Sequence, residues 1–170
     1  KPVQELTGPW TVQFDPKWGG PAQPAVFNDL TDWTDRSDLG IKYYSGIATY
    51  RKAFSLTQIP GGKTYLGLGV VHDMARVRLN GRDLGVVWCV PWRVEVTGII
   101  KAGANQLEIE VANRWPNRMI GDKQPDDANA RTTGRYTFST HDPYKQQSPL
   151  LPSGLRGPVR LLTQLPEAVK

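Results

Sequence analysis

The sequence contains a single cysteine, Cys89, so it can form neither an internal disulfide nor a zinc site built on several cysteines. It has no apolar stretch near the roughly 18 residues that a membrane-spanning helix needs, and we expect no membrane partner. The chain opens at Lys1 without a methionine or a charged-then-apolar leader. We interpret it as a mature product or as a piece of a longer protein.

Positive charge is in excess but is not concentrated. There are 21 Lys and Arg residues against 16 Asp and Glu, which gives a net charge of +5. No run of five like charges occurs, and no nucleic-acid-binding signature is present. We therefore expect no nucleic-acid partner, and steep salt dependence of binding would contradict this expectation. The net positive charge would also suit an acidic partner of another kind, a glycan that carries uronates.

Catalytic motifs are also missing. The sequence has no Gly-x-Ser-x-Gly elbow, no P-loop and no Gly-x-Gly-x-x-Gly. The two histidines, His72 and His141, lack the companions of a zinc site or a triad, and a loop hydrogen bond is the simpler role. Glu108 and Glu110 share the outer, solvated face of one predicted strand, and Asp126 and Asp127 lie in a loop. Neither of these two pairs is a credible pair of glycosidase carboxylates. We expect no enzyme activity from this chain alone.

Alternation with a period of two is present along much of the chain and predicts β-strands. Residues 49–56 alternate, and in residues 106–111 the apolar Leu107, Ile109 and Val111 share one face. Asn80-Gly81 is the strongest short hairpin signal, because both residues tolerate positive φ. With 17 Gly and 14 Pro in 170 residues, the sequence predicts one all-β antiparallel sandwich over residues 1–170.

Two long segments, residues 15–45 and 115–157, lack strand alternation and are rich in proline. Loop-rich segments of this length in a compact domain are usually functional or packed on a neighbour. The first segment also contains a spaced acidic series whose oxygens could contribute to a calcium site, although the spacing is not that of an EF-hand: Asp29, Asp32, Asp35 and Asp38.

Several motifs resemble a known family of domains. Residues 44–54 (YSGIATYRKAF), 77–85 (VRLNGRDLG) and 103–109 (GANQLEI) resemble the galactose-binding-like, sugar-binding jelly roll of glycoside hydrolase family 2. Residues 111–122 (VANRWPNRMIGD) and 153–159 (SGLRGPV) resemble segments of the C-terminal sandwich domains of family 106 rhamnosidases. The resemblance implies a jelly-roll β-sandwich and an accessory place in a bacterial enzyme, whose hydrolytic carboxylates lie in a separate barrel domain. Some members carry a structural calcium ion.

Sugar binding requires aromatic rings that stack on the C–H face of a pyranose and planar polar groups that read its hydroxyls. The richest such cluster should come together if its loops meet at one end of the sandwich, and its arginines could grip a uronate carboxylate. The other three tryptophans, Trp10, Trp18 and Trp33, are better explained by packing. The predicted carbohydrate-binding residues are Trp88, Trp92, Arg93, Asn113, Arg114, Trp115, Asn117 and Arg118.

The sequence therefore favours a non-catalytic carbohydrate-binding module from a secreted or periplasmic bacterial enzyme that degrades plant polysaccharides. Its partners would be a cell-wall polysaccharide or oligosaccharide containing rhamnose or uronate, and the parent catalytic domain. The alternative is a structural accessory domain that packs on a catalytic barrel and binds no sugar independently.

Overall fold

The computed structural model describes residues 1–125 and 143–164. Twelve strands occur in this part of the chain, numbered β1 to β12 in chain order. Six of them form the larger sheet: β2 (Trp10–Gln13), β3 (Ala25–Phe27), β4 (Ile47–Leu56), β7 (Met74–Leu79), β8 (Arg82–Val87) and β10 (Gly103–Ala112). Their order in the sheet is β3-β2-β4-β10-β7-β8.

The remaining strands form a four-stranded and a two-stranded sheet. The four-stranded sheet contains β1 (Pro2–Glu5), β5 (Lys63–Gly67), β9 (Arg93–Glu95) and β12 (Arg160–Gln164), in the order β1-β12-β5-β9. β6 (Val70–His72) pairs with β11 (Gly154–Gly157). All pairings between these strands are antiparallel, so the predicted all-β antiparallel sandwich is confirmed.

Short helices occur only in the connections of the described part. Two 3-10 turns span Pro16–Trp18 and Trp33–Asp35, and the α-helices are α1 (Leu39–Lys42) and α2 (Pro116–Gly121). Within residues 1–125 and 143–164, no helix is long and apolar enough to cross a lipid bilayer.

The core lies between the sheets and follows from the alternation of the strands. Tyr50 faces Ile109 across the β4–β10 ladder, and Ile109 faces Val77 across the β10–β7 ladder. All three side chains are completely buried, whereas the residues before and after each of them along its strand point to solvent. Trp10 and Trp33 are also buried, as their predicted packing role requires.

The hairpin between β7 and β8 turns at Asn80-Gly81, as predicted. Asn80 has φ 53° and Gly81 has φ 80°, the positive values that a two-residue hairpin turn needs. The Asn80 side chain donates to the Ile99 carbonyl at 3.0 Å and accepts from the Gln106 amide at 3.0 Å. Asn80 therefore acts as a turn residue, and it fastens the hairpin to β10.

Candidate carbohydrate-binding surface

The strand register brings most of the predicted site loops to one end of the sandwich. Ala112, the last residue of β10, pairs with Ile47 at the start of β4 and with Met74 at the start of β7. Val87, the last residue of β8, pairs with Ala75 at this same end. The loops 88–92 and 113–115 therefore leave the larger sheet together. We call this region, which carries Trp18, Trp88, Arg114 and Trp115, the aromatic end.

The main feature of the aromatic end is a pair of exposed tryptophans. The rings of Trp18 and Trp115 meet edge to face with centroids 5.4 Å apart and planes at 77°. Trp18 is 41% exposed and Trp115 is 48% exposed. Such a pair holds each ring in place while leaving apolar surface in contact with water.

Sequence reasoning assigned Trp18 to packing and so missed its place in this pair. Its position comes from a local cap, in which the Asp15 carboxylate accepts the Lys17 amide at 2.9 Å and Pro16 begins the 3-10 turn. An N-cap aspartate followed by proline was a readable signal for the turn. Nothing in the local sequence indicated that the turn would meet Trp115.

A charged pair lies next to the tryptophans in the chain. The Arg114 Nε donates to the Asp73 carboxylate at 2.8 Å, and the Arg114 side chain is largely exposed. Asp73 is held in place because its amide donates to the Ala112 carbonyl at 2.9 Å. The pair presents guanidinium donors and carboxylate acceptors to solvent beside Trp115.

The loop that carries Trp88 and Trp92 is divided between exposure and packing. Trp88 is 70% exposed, and it takes part in no ring–ring contact within the described residues. Cys89 and Val90 are exposed beside it. Trp92, in contrast, is partly buried against the core, and its carbonyl accepts the Leu68 amide at 2.8 Å.

Asn113 points into the domain and fixes the start of the loop. Its Oδ1 accepts the Gly46 amide at 2.9 Å, and its Nδ2 donates to the Tyr44 carbonyl at 2.9 Å and to the Ser153 hydroxyl at 3.0 Å. These bonds join the entrance to β4 with the segment before β11.

Asn117 and Arg118 are buried, which differs from the exposed role that their motif suggested. The Asn117 amide donates to the Leu151 carbonyl at 2.7 Å and accepts the Leu151 amide at 2.8 Å. The Arg118 Nε donates to the Asp122 carboxylate at 3.0 Å, and both of these side chains are buried. Asn117 thus joins α2 to the 151–153 segment, whereas the Arg118–Asp122 pair lies within α2 and the residue that follows it. Direct contact of Asn117 or Arg118 with sugar stays a prediction that would need this network to open.

Arg93 lies apart from the tryptophan pair, on the four-stranded sheet. Its guanidinium lies over the Tyr65 ring, 4.6 Å from the centroid. The two residues line an open groove of about 420 Å³ together with Lys1, Leu162, Thr163 and Gln164. The structure therefore divides the predicted cluster between two surfaces and a buried network.

The acidic series does not fit a calcium cage. The Asp32 carboxylate caps the Trp33–Asp35 turn by accepting the Thr34 amide at 3.0 Å, and it also accepts the Ser153 amide at 3.0 Å. Asp38 caps α1 by accepting the Gly40 amide at 2.8 Å. Across the described ranges, no three His, Cys, Asp or Glu side chains come together as metal ligands.

Glu108 and Glu110, the carboxylate pair on β10, lie in an ion-pair ladder. The Arg78 Nη1 donates to Glu108 and to Glu110 at 2.9 Å each, and the Arg51 Nε donates to Glu108 at 3.0 Å. This is the solvated outer face that alternation predicted. Three other acid–base candidates, Asp126, Asp127 and His141, lie outside the described residues.

The antiparallel sandwich with loops gathered at one end is the architecture of galactose-binding-like domains. The chain belongs to the family described as glycosyl hydrolase 2 galactose-binding domain-like, whose model matches residues 33–146. The resemblance that the motifs indicated is thereby confirmed.

Individual relatives agree with this family. A protein of Formosa agariphila that is named as a beta-glucuronidase is 36% identical over 92% of this chain. The structure of a rhamnosidase from Novosphingobium sp. PP1Y matches 95% of this chain at 39% identity with a TM-score of 0.85. In both cases the match covers 15% of the relative's own length, so the chain corresponds to one part of much longer proteins. The beta-glucuronidase of Ruminococcus gnavus shares the fold, with 24% identity, a TM-score of 0.55 and coverage of 65% of this chain and 21% of that one.

Proposed function

We propose that this domain is a non-catalytic carbohydrate-binding domain of a bacterial glycoside hydrolase that degrades plant polysaccharides. The Trp18–Trp115 pair is its sugar-stacking surface, and the exposure of this pair is the observation that carries the proposal. The exposed part of each ring gains nothing from water in the isolated domain, whereas it gains dispersion and apolar burial against the C–H face of a pyranose.

Arg114 and Asp73 supply the polar half of the site. The guanidinium donates to sugar hydroxyls or ring oxygen, and the carboxylate accepts from hydroxyls. Their mutual ion pair holds both side chains in position, so that less rotamer entropy is lost on binding. With two rings and one polar pair, affinity for a single site should be modest, with a Kd on the order of micromolar to millimolar.

We propose a non-catalytic domain because of where its strand carboxylates lie. Hydrolysis needs two carboxyl groups that face each other across a sugar, roughly 5 to 10 Å apart. Glu108 and Glu110 instead point outward from one strand and are ion-paired with arginines. The chemistry would lie in the remainder of the parent enzyme. The names of the relatives make rhamnose- or uronate-containing polysaccharides the first ligands to test, in a secreted or periplasmic setting.

Affinity electrophoresis against pectins, rhamnose-rich polysaccharides, xylans and galactans tests the proposal. The wild type is compared with Trp115→Ala, Trp18→Ala and the control Ile59→Ala, which removes an exposed apolar side chain just after β4, at the end of the sheet away from the pair. We expect retardation by at least one polysaccharide, lost in the first two variants and kept in the control. Retardation that survives loss of both paired rings would contradict the stacking surface.

A second function is favoured by a different observation. Apolar side chains are exposed on the outer sheet face and loop beside the tryptophans: Ile47, Met74, Val86, Trp88 and Val90. An apolar surface of this kind suits packing against a catalytic domain of the parent enzyme. Failure of every polysaccharide to retard the wild type, together with binding of an apolar dye that Trp88→Ala weakens, would favour this structural role.

A further inference from the structure

Three arginines of the predicted cluster differ in how their charges are balanced. Arg114 is ion-paired with Asp73, and Arg118 is ion-paired with Asp122 in the interior. Arg93 is exposed on β9 and has no carboxylate partner among the described residues. Its charge is thus available to an external anion.

The surroundings of Arg93 form a shallow groove on the outer face of the four-stranded sheet. Tyr65 on β5 pairs with Leu162 on β12, so these two side chains form an apolar floor. Gln164, one strand repeat further along β12, lines the same groove and is exposed. Lys1 contributes a second positive side chain to the rim. The volume of about 420 Å³ is in the range of small-ligand sites.

The contact with Tyr65 prepares Arg93 for a planar anion. A guanidinium that lies over an aromatic face, here with its carbon 4.6 Å from the ring centroid, keeps N–H groups free to bind a carboxylate bidentately. Stacking also fixes the long side chain before a ligand arrives, which lowers the entropic cost of binding. Lysine could not supply this geometry, because its ammonium is a point charge.

From this arrangement we infer a second carbohydrate subsite, separate from the tryptophan pair, in which Arg93 binds the carboxylate of a uronate residue. The C–H face of the sugar lies against Leu162 and the exposed edge of Tyr65. The Gln164 amide is placed to bond a hydroxyl. The inference rests on the proposed carbohydrate-binding function and adds to it a second subsite and the residue that would recognise the uronate carboxylate.

One neighbouring acid limits the strength of this subsite. Glu95 pairs with Tyr65 and lies on the same exposed face of β9 as Arg93, two residues along, but it forms no ion pair with Arg93. Its charge opposes an incoming carboxylate. Removing that charge should therefore strengthen binding of an acidic polymer and leave a neutral polymer unaffected.

The test compares polygalacturonate with the same polymer after chemical reduction of its carboxyl groups. Affinity is measured by electrophoresis and calorimetry for the wild type, Arg93→Gln, Glu95→Gln and the control Arg82→Gln, which removes the same charge from the hairpin at the opposite end. We expect Arg93→Gln to weaken binding of the acidic polymer about tenfold and to leave the reduced polymer unchanged. Glu95→Gln should tighten acidic binding a few-fold, and Arg82→Gln should change neither.

Different failures are distinguishable. Equal weakening by Arg93→Gln and Arg82→Gln would show diffuse charge attraction and overturn the subsite. Equal affinity of the wild type for a sulfated galactan and for polygalacturonate would overturn its preference for carboxylate. If Trp115→Ala abolishes binding of the reduced polymer while Arg93→Gln affects neither polymer, the proposed function stands and this inference fails. If the wild type binds neither polymer and no polysaccharide retards it, the proposed function itself fails.

Discussion

At both ends of the sandwich, asparagine side chains fix the loops by bonding their backbone, but the two ends display different side chains. At the hairpin end, the buried Asn105 side chain accepts the Lys101 amide at 2.9 Å and donates to the Lys101 and Gly103 carbonyls. It also accepts from the Asn80 amide at 2.9 Å. At the aromatic end, Asn113 and Asn117 tie loop backbone together in the same manner.

The ends differ in what their fixed loops display. The hairpin end presents small and charged side chains around the Asn80-Gly81 turn, whereas the aromatic end presents Trp18, Trp88 and Trp115. A buried asparagine in a loop motif is therefore evidence of loop architecture alone, because it occurs at both ends. Among the described residues, the evidence for a ligand lies in the exposed rings, which the hairpin end lacks, together with the Arg114–Asp73 pair beside them.

The largest expected effect comes from removing one of these asparagines. Asn117→Ala deletes three hydrogen bonds and leaves the Leu151 amide without its side-chain partner, whereas the Leu151 carbonyl keeps the Ser153 hydroxyl. We expect a loss of about 3 kcal/mol in the free energy of unfolding, measured by urea denaturation. Asn105→Ala should cost a similar amount, since it removes a comparable network.

The same two variants separate architecture from binding. At low temperature, where both remain folded, Asn117→Ala should lose polysaccharide retardation because α2 no longer supports Trp115. Asn105→Ala should keep retardation, since the described residues of the hairpin end include no exposed aromatic ring. If only Asn105→Ala lost retardation, the binding site would lie at the hairpin end, and the assignment to the aromatic end would be wrong.

The second effect is a loss of stability at alkaline pH, and it comes from Tyr44, which is buried beneath the aromatic end. Burial raises the pKa of Tyr44 to about 12, because the ionised phenolate would be cut off from water. Unfolded tyrosine titrates near 10, so the stability from the neutral hydroxyl is complete below pH 10 and is lost as pH rises toward about 12. We expect Tyr44 alone to lower the free energy of unfolding by roughly 2 kcal/mol across this window.

Tyr44→Phe is the control for this window. The Tyr44 hydroxyl accepts the Asp15 amide at 3.1 Å and donates to the Ile47 carbonyl at 2.9 Å, so the variant is less stable at neutral pH. Its alkaline slope should nevertheless be flatter than that of the wild type. Burial also raises the pKa of Tyr50, so some slope will persist. An unchanged slope would assign the alkaline loss to other groups.

The fold was predictable because it follows from local patterns. Alternation in residues 106–111 fixes which face of β10 is buried, and Asn80-Gly81 fixes a hairpin, since positive φ is needed at both positions. These signals lie within a few residues of the structure that they determine. They can therefore be interpreted without any knowledge of distant contacts.

The site was only partly predictable, because it depends on contacts between distant segments. The motif around Trp115 indicated a candidate surface, but Asn117 is buried because it bonds Leu151 and Ser153, and Arg118 is buried with Asp122 and bonds Ser45 through its amide. Trp18 joins the surface because the cap at Asp15 turns it toward Trp115. Arg93 separates from the cluster because β9 pairs with β5 in the other sheet. None of these pairings can be read from spacing.

A smaller effect is expected from the tryptophan pair itself. Because Trp18 and Trp115 are each about half exposed, Trp115→Ala should cost about 1 kcal/mol of stability, far less than loss of the buried Trp33. A double-mutant cycle with Trp18→Ala should give a coupling of about 0.5–1.5 kcal/mol in the free energy of unfolding. Additive losses would show that the rings do not contact each other in solution.

The smallest effect belongs to the outer face near the hairpin end. A hydrogen bond from Arg76, supported by the Gly85 amide, lowers the pKa of Asp83 to about 2. Any stability from this pair is present above pH 3.8 and is lost as pH falls through about 2. Because Arg76 and Asp83 are both exposed, Asp83→Asn should leave the urea midpoint unchanged at neutral pH in about 0.15 M salt. Polysaccharide retardation should also stay unchanged, since this ion pair lies outside both proposed binding surfaces, and a change in retardation would show that the hairpin end takes part in binding.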